Sequence, residues 1–195
     1  MLSLTRPAEK TTTPSASIIS VKNQARNADR APSAVLRLKL LGANTNSPIS
    51  GQQQQNGKVN YFLGNEAAQW HSNIALYGQV LCQQVYPGID LLYYGSQQQL
   101  EYDYVVAPGA DTSKIRLEIQ GARKIEIEPR GDLSIQTPSG KVSLHAPRLY
   151  QQIGKIRQRV SGSYVLSGHN VVGFQVSPYD HTRPLVIDPV LSYST

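Results

Sequence analysis

Three carboxylates near the middle of the chain, Asp90, Glu101 and Asp103, are candidates for chemistry. Carboxylate oxygens are ligands that Ca²⁺ prefers, so the three together form a candidate calcium site. Glu101 and Asp103 are two residues apart, and on one strand their side chains would lie roughly 6.5–7 Å apart. That separation suits the two acids of an inverting glycosidase. A solvated outer face, or one neutralised by Lys or Arg from a neighbouring strand, accounts for the same residues without a ligand.

The carboxylates come together only if the two segments that carry them form a hairpin. Apolar and polar residues alternate along residues 89–94 and 99–106, and residues 95–98 suit a four-residue connection. This register puts Tyr94 opposite Gln99 and therefore Asp90 opposite Asp103. The face predicted to be core contains Ile89, Leu91, Tyr93, Leu100, Tyr102, Tyr104 and Val106, and the other face carries the carboxylates. A slip of one residue would bury the carboxylates, so the alternation specifies the faces.

Two other side chains have alternative interpretations. Asp180 beside His181 is part of what a catalytic dyad needs, but no Gly-x-Ser-x-Gly or other nucleophile motif occurs. A turn entering the last strand explains this segment better. Tyr94, on the predicted outer face, is a candidate ligand contact, because an exposed ring can stack on a sugar or anchor a protein. From the residues alone we predict no catalytic site, no cofactor and no metal centre beyond the calcium candidate.

The elements that must position these groups are strands. Apolar and polar residues alternate with a period of two, as in half-buried strands, and turn signals separate the segments. No helical apolar pattern is sustained, and only a helical turn is expected near residues 65–69. The predicted core positions are Leu36, Leu38, Leu40, Ile115, Leu117, Ile119, Ile125, Ile127, Leu133, Ile135, Val142, Leu144, Val172, Phe174 and Val176. The sequence therefore predicts an all-β fold, a β-sandwich or rolled antiparallel sheet of about ten to twelve strands.

Two segments are predicted to lie outside the sheets. Residues 1–33 contain prolines and a Thr/Ser/Ala-rich stretch, and we interpret them as a mostly disordered leader with a short first strand at residues 2–4. The apolar patch at residues 18–21 is too short to found a core. The glutamine run at residues 52–55 is interpreted as a polar loop. Residues 34–195 then form a single β-rich domain.

Charge and hydropathy argue against two classes of protein. The net charge is +6, but residues 1–57 hold seven Lys/Arg against two Asp/Glu, while residues 58–195 hold twelve against eleven. The basic excess therefore lies mostly in the leader and first strand, which argues against a nucleic-acid partner.

No apolar run approaches the ~18–20 residues that would span a bilayer, so no membrane insertion is expected. The N-terminus also lacks the apolar stretch of a signal peptide. Cys82 is the single cysteine, which excludes an intramolecular disulfide.

Several motifs in a fixed order resemble one family. They are VNYFLGN at 59–65, Trp70, YPGIDLLYYG at 86–95, LEYDYVVAPGAD at 100–111 and PLVIDPVLSYST at 184–195. Together they are similar to the N-terminal domain that precedes seven-bladed β-propeller-type repeats in large bacterial secreted or surface proteins. The resemblance covers roughly residues 34–195, and the family offers no catalytic or binding residues to carry over.

The resemblance implies a non-catalytic structural or interaction module that is extracellular or at the cell surface. Its expected partners are the propeller repeats of the full-length architecture and an envelope protein or glycan. Relative to that family the chain lacks upstream β-structure and the repeats, which predicts a fragment of a longer protein. The alternative is a carbohydrate-binding module that uses Tyr94. A second alternative is a glycoside-type hydrolase that gathers Asp90, Glu101 or Asp103 with His181.

Overall fold

The computed structural model describes residues 18–22, 35–96, 99–189 and 191–193. Within these ranges sixteen strands form three antiparallel sheets. The predicted all-β class, with antiparallel sheets, is confirmed. The strands are more numerous than expected because some have too few apolar residues to show the alternation. In the strand at Ile156–Val160, for example, Val160 alone is buried.

The seven-stranded sheet contains, in spatial order, β12 (Ile156–Val160), β11 (Arg148–Ile153), β15 (Leu185–Asp188), β6 (Gln99–Val106), β5 (Ile89–Ser96), β4 (His71–Tyr86) and β3 (Ile49–Tyr61). The five-stranded sheet contains β1 (Ile18–Lys22), β2 (Val35–Leu40), β7 (Leu117–Gln120), β14 (Val171–Val176) and β13 (Gly162–Leu166). The four-stranded sheet contains β16 (Leu191–Tyr193), β10 (Gly140–Leu144), β9 (Leu133–Thr137) and β8 (Lys124–Ile127). Single 3₁₀ turns occupy Ala67–Gln69 and Thr112–Lys114, and the first is the predicted helical turn.

One apolar core joins the inward faces of the three sheets. Its buried members include Leu36, Leu38 and Leu40 from β2, Ile89 and Leu91 from β5, Leu133 and Ile135 from β9, and Val172 and Phe174 from β14. Removing these faces from water supplies the main favourable term in folding, roughly 25 cal/mol per Å² of apolar area. Two residues predicted to be core are exposed: Ile127, at the end of β8, is 38% exposed, and Leu100 of the hairpin is 37% exposed.

Two segments expected outside the sheets are strands. Residues 18–22 form β1, which pairs with β2 from Ile18 opposite Lys39 to Lys22 opposite Val35. The rest of the predicted leader, including the strand proposed at residues 2–4, lies outside the described residues. The glutamine run lies inside β3, so its interpretation as a loop was wrong. Because β3 is an edge strand with mostly exposed side chains, it does not need the apolar alternation of a half-buried strand.

In the turn after β7, a glycine lies so close to the β2 backbone that a side chain there would clash with it. Gly121 has a φ of +89°, and a Cβ atom there would lie 2.4 Å from the backbone oxygen of Val35. Gly168 has a similar φ of +75° but faces open space. We expect Gly168→Ala to lower the free energy of unfolding by about 1–2 kcal/mol through left-handed strain alone. Gly121→Ala should cost about 1–3 kcal/mol more, because the β2 backbone must also shift. Urea unfolding of both variants measures the difference, and equal losses would contradict this steric explanation.

Candidate functional site

The β5–β6 hairpin carries three of the predicted site residues, and its register differs from the prediction by two residues. Ser96 pairs with Gln99, so the connection is two residues long rather than four. Asp90 therefore lies opposite Val105, and the predicted pairing of Asp90 with Asp103 was wrong. Hairpin register follows the length of the connection, which the alternation of apolar residues does not specify.

The faces of the hairpin are nevertheless those predicted, because a shift of two residues leaves every side chain on its own face. Tyr102 and Tyr104 are buried, and Tyr93 packs against the core. Leu100, near the end of the hairpin, is 37% exposed. Tyr94 lies on the outer face of the sheet, as expected, but it is half-buried rather than an open platform.

Asp90 has a structural role that the sequence did not reveal. Its Oδ1 accepts a hydrogen bond of 2.7 Å from the backbone N–H of Gln84. Gln84 has a φ of +52° and lies where the pairing of β4 with β5 is irregular. Asp90 thus stabilises a bulge in β4. Across the described residues no three His, Cys, Asp or Glu side chains meet as a metal site, so the predicted calcium triad is not assembled.

Asp180 and His181 belong to a turn before β15. Asp180 accepts hydrogen bonds from the backbone N–H and the hydroxyl of Thr182, at 2.9 and 2.6 Å, and from Nε of Arg183 at 2.9 Å. The ring of His181 lies against that of Tyr179 in a tilted contact, with the centroids 4.1 Å apart. The carboxylate is thus engaged in closing the turn, which supports the interpretation of this segment as a turn rather than as a catalytic dyad.

A group of carboxylates and a tyrosine, Tyr94, Glu101, Asp103 and Asp188, occupies the outer face of the seven-stranded sheet; we call it the outer-face cluster. Asp103 is 8% exposed, and its Oδ1 accepts a hydrogen bond of 3.0 Å from the Tyr94 hydroxyl. Burial raises the pKa of Asp103 to about 6, and the charges of Asp188 and Glu101 act in the same direction. Arg157 and the Tyr94 hydrogen bond oppose the rise in pKa.

Asp188 joins the cluster from a strand that is distant in the sequence. β15 pairs with β6 from Leu185 opposite Val106 to Ile187 opposite Tyr104, which brings Asp188 beside Asp103. Burial raises the pKa of Asp188, while the charges of Arg148 and Arg157 lower it. Its Oδ1 is buried and makes no hydrogen bond within the described part of the chain. A buried oxygen of this kind costs free energy unless a donor reaches it.

A cavity of about 290 Å³ opens beside Asp188. We call it the arginine cleft; its walls are formed by Arg148, Leu149, Tyr150, Arg157, Arg159 and Asp188. The guanidinium of Arg157 lies over the ring of Tyr150, 4.6 Å from its centroid. Sequence reasoning missed these residues. The alternation of Arg157 and Arg159 was a signal that they share a face, but nothing local connects them with Asp188.

The strands β3 and β4 continue beyond the sheet as a two-stranded ribbon, which we call the arm. β5 pairs with β4 only from Gln79 onward, whereas β3 follows β4 as far as Tyr61 opposite His71. At the end of the arm, the rings of Phe62 and Trp70 meet edge to face with centroids 5.2 Å apart. The indole N–H of Trp70 donates to the backbone oxygen of Gly64 at 3.2 Å.

Comparison with known families matches nearly the whole chain to one of them. Residues 5–190 match the family described as a domain of unknown function, DUF7948. The chain belongs to the DUF7948 family. The match begins well before residue 34, so the DUF7948 domain includes the segment that contains β1. No match was found among curated proteins or among solved structures.

In the described ranges of this DUF7948 domain, no helix has the length and apolarity that crossing a bilayer would require.

The raised pKa of Asp103 has a consequence for the stability of the DUF7948 domain. The folded state favours the protonated acid, so this carboxyl favours folding below its ordinary pKa of 3.8 and loses that contribution as the pH rises through about 6. Asp103→Asn, which keeps an acceptor for Tyr94, should raise the free energy of unfolding at pH 7.5 by on the order of 1 kcal/mol after solvent screening. Near pH 4 it should have little effect. Urea unfolding at both pH values measures this.

Asp90→Asn is the matched control, because it removes the same charge from the same face but outside the outer-face cluster. It should not reproduce the gain in stability at pH 7.5. If Asp103→Asn destabilised the domain equally at both pH values, the burial of its charge would not be the controlling effect.

Proposed function

We propose that this domain is a non-catalytic interaction module of an exported or cell-surface protein with β-propeller-type repeats, and that the arm contacts those repeats. The observation that carries the proposal is the apolar end of the arm. Phe62 is 61% exposed, Leu63 is 64% exposed and Trp70 is 42% exposed. Exposed apolar residues that are adjacent in space are typical of protein contact sites.

The arrangement of these rings favours protein recognition. The edge-to-face contact and the hydrogen bond from Trp70 to Gly64 hold the indole before any partner arrives. A ring that is already fixed loses little conformational entropy on binding, and Trp is enriched among the residues that contribute most to binding energy. A two-stranded ribbon is at best marginally stable alone in water, and a partner that packs against it would order it further.

The choice of partner is supported by where the resemblance motifs lie. Two of the features that make the sequence resemble domains preceding propeller repeats are the VNYFLGN motif and Trp70. They lie in the last residues of β3 and at the end of the arm. The proposal of an exported or surface protein rests on the same resemblance. A non-catalytic role is supported by the acids themselves, since Asp90 stabilises a bulge and Asp180 closes a turn.

Replacing the aromatic end of the arm should abolish its binding without unfolding the sheets. We expect the double variant Phe62→Ser, Trp70→Ser to keep its cooperative unfolding, because both residues lie outside the core. Its affinity for purified seven-bladed β-propeller-type repeats should fall by about 100-fold, as for loss of two anchor residues. Isothermal titration calorimetry measures this.

The control is Ile156→Ser, which removes an apolar side chain that is 72% exposed on β12, far from the arm. It should bind the repeats as the unchanged domain does. If the control weakened binding as much as the double variant, the binding would be nonspecific hydrophobic association rather than recognition by the arm. Failure of the unchanged domain to bind the repeats would refute the proposed partner.

A further inference from the structure

The arginine cleft lies at the opposite edge of the seven-stranded sheet from the arm and has the features of a separate binding site. Arg159 lies opposite Tyr150 across β12 and β11, and Arg148 lies opposite Asp188 across β11 and β15. The three arginines therefore project from the same face as Asp188 and line one cavity of about 290 Å³ with it. This volume is close to the lower end of the range for small-molecule sites. We propose that the arginine cleft binds an anionic saccharide, with its acidic group on the arginines and a hydroxyl on Asp188.

The arginines account for the anionic part of the ligand. None of the ion pairs formed among the described residues includes Arg148, Arg157 or Arg159. Three guanidinium groups around one cavity repel one another and offer donors that the cavity wall does not use. A guanidinium binds a carboxylate or a sulfate through two parallel hydrogen bonds, which is geometry that a lysine cannot supply. Stacking on Tyr150 restrains Arg157, so that less side-chain entropy is lost when an anion binds.

Asp188 accounts for the saccharide part of the ligand. Its Oδ1 is buried beside the cleft without a hydrogen bond among the described residues, although Arg148 is its cross-strand neighbour. A sugar hydroxyl donates a hydrogen bond and carries no negative charge, so it satisfies this oxygen without repulsion. An acidic peptide would instead bring further carboxylates towards Asp188 and the buried Asp103. The combination of three cations and an acceptor therefore favours a sugar with an acidic substituent over an acidic peptide.

The test compares four probes by isothermal titration calorimetry with the full chain at one ionic strength. The probes are an oligogalacturonate, a sulfated galactan oligosaccharide, a neutral galactan oligosaccharide and an oligoglutamate peptide. We expect binding of the oligogalacturonate or the sulfated galactan, and the stronger of the two identifies the acidic group as carboxylate or sulfate. The neutral sugar and the peptide should bind at least about tenfold more weakly, because each lacks one of the two required groups.

Three variants of cleft residues and one control variant test the site. Arg157→Gln and Arg148→Gln should each weaken binding of the preferred saccharide about tenfold or more, as loss of a charged hydrogen bond does. Asp188→Ala removes both the acceptor oxygen and its charge, so it should reduce the preference for the acidic saccharide over the oligoglutamate peptide. Arg130→Gln removes the same charge from the turn between β8 and β9 and should leave binding unchanged. Preference for the peptide, equal weakening by Arg157→Gln and Arg130→Gln, or no binding of either acidic saccharide would overturn the proposal. If the arm does not bind propeller repeats, the outcome of this saccharide test is unaffected, because the arm and the arginine cleft share no residue.

Discussion

A row of aromatic rings in mutual contact connects the seven-stranded sheet to the five-stranded sheet. Tyr102 and Tyr104 from β6 meet with their centroids 5.8 Å apart, and Tyr104 meets Phe174 of β14 at 5.8 Å. Phe174 in turn meets Tyr164 of β13 at 5.5 Å. Edge-to-face and tilted pairs of this kind add to the area that the rings bury, so they select one arrangement of the two sheets. The position of β6, and with it the outer-face cluster, depends on this row.

The chain has eleven tyrosines and two phenylalanines, and at two core positions the tyrosine hydroxyl makes a hydrogen bond that a phenylalanine could not. The Tyr164 hydroxyl donates to the backbone oxygen of His145 at 3.0 Å. The Tyr86 hydroxyl donates to the backbone oxygen of Leu41 at 3.1 Å. Each ring fills the core while its polar end satisfies a carbonyl on a segment outside its own strand. A phenylalanine at either position would leave that hydrogen bond unmade, at a cost of about 1 kcal/mol or more.

The alternation of apolar and polar residues that fills the core also determines which residues lie on the outer face of the sheet. Asp103 stands between Tyr102 and Tyr104, so burying the two rings forces its carboxylate onto the opposite face. Asp188 follows buried Ile187 and is placed in the same way. The pairing of β15 with β6 then brings the two acids together, and burial of the pair raises both pKa values.

The local sequence was sufficient for the faces of the hairpin but not for the site. Alternation from Ile89 to Val106 identified the buried side and placed Tyr94 outside, because a strand has a period of two whatever its partner. Pairing partners are not encoded locally. The hairpin register depended on a two-residue connection, and the meeting of Asp188 with Asp103 depended on strands far apart in the chain. The polar edge strands β3 and β12 escaped detection because neither needs an apolar face.

The two proposed binding surfaces lie at opposite edges of one sheet. The arm extends from the β3–β4 edge, whereas the arginine cleft is built on β11, β12 and β15 at the other. With neighbouring strands about 4.8 Å apart, the two edges of a seven-stranded sheet are separated by roughly 25–30 Å. A protein domain held on the arm would therefore leave the cleft open to a second ligand. Because the packed sheet between the two edges resists large deformation, binding at one proposed site would not by itself block the other.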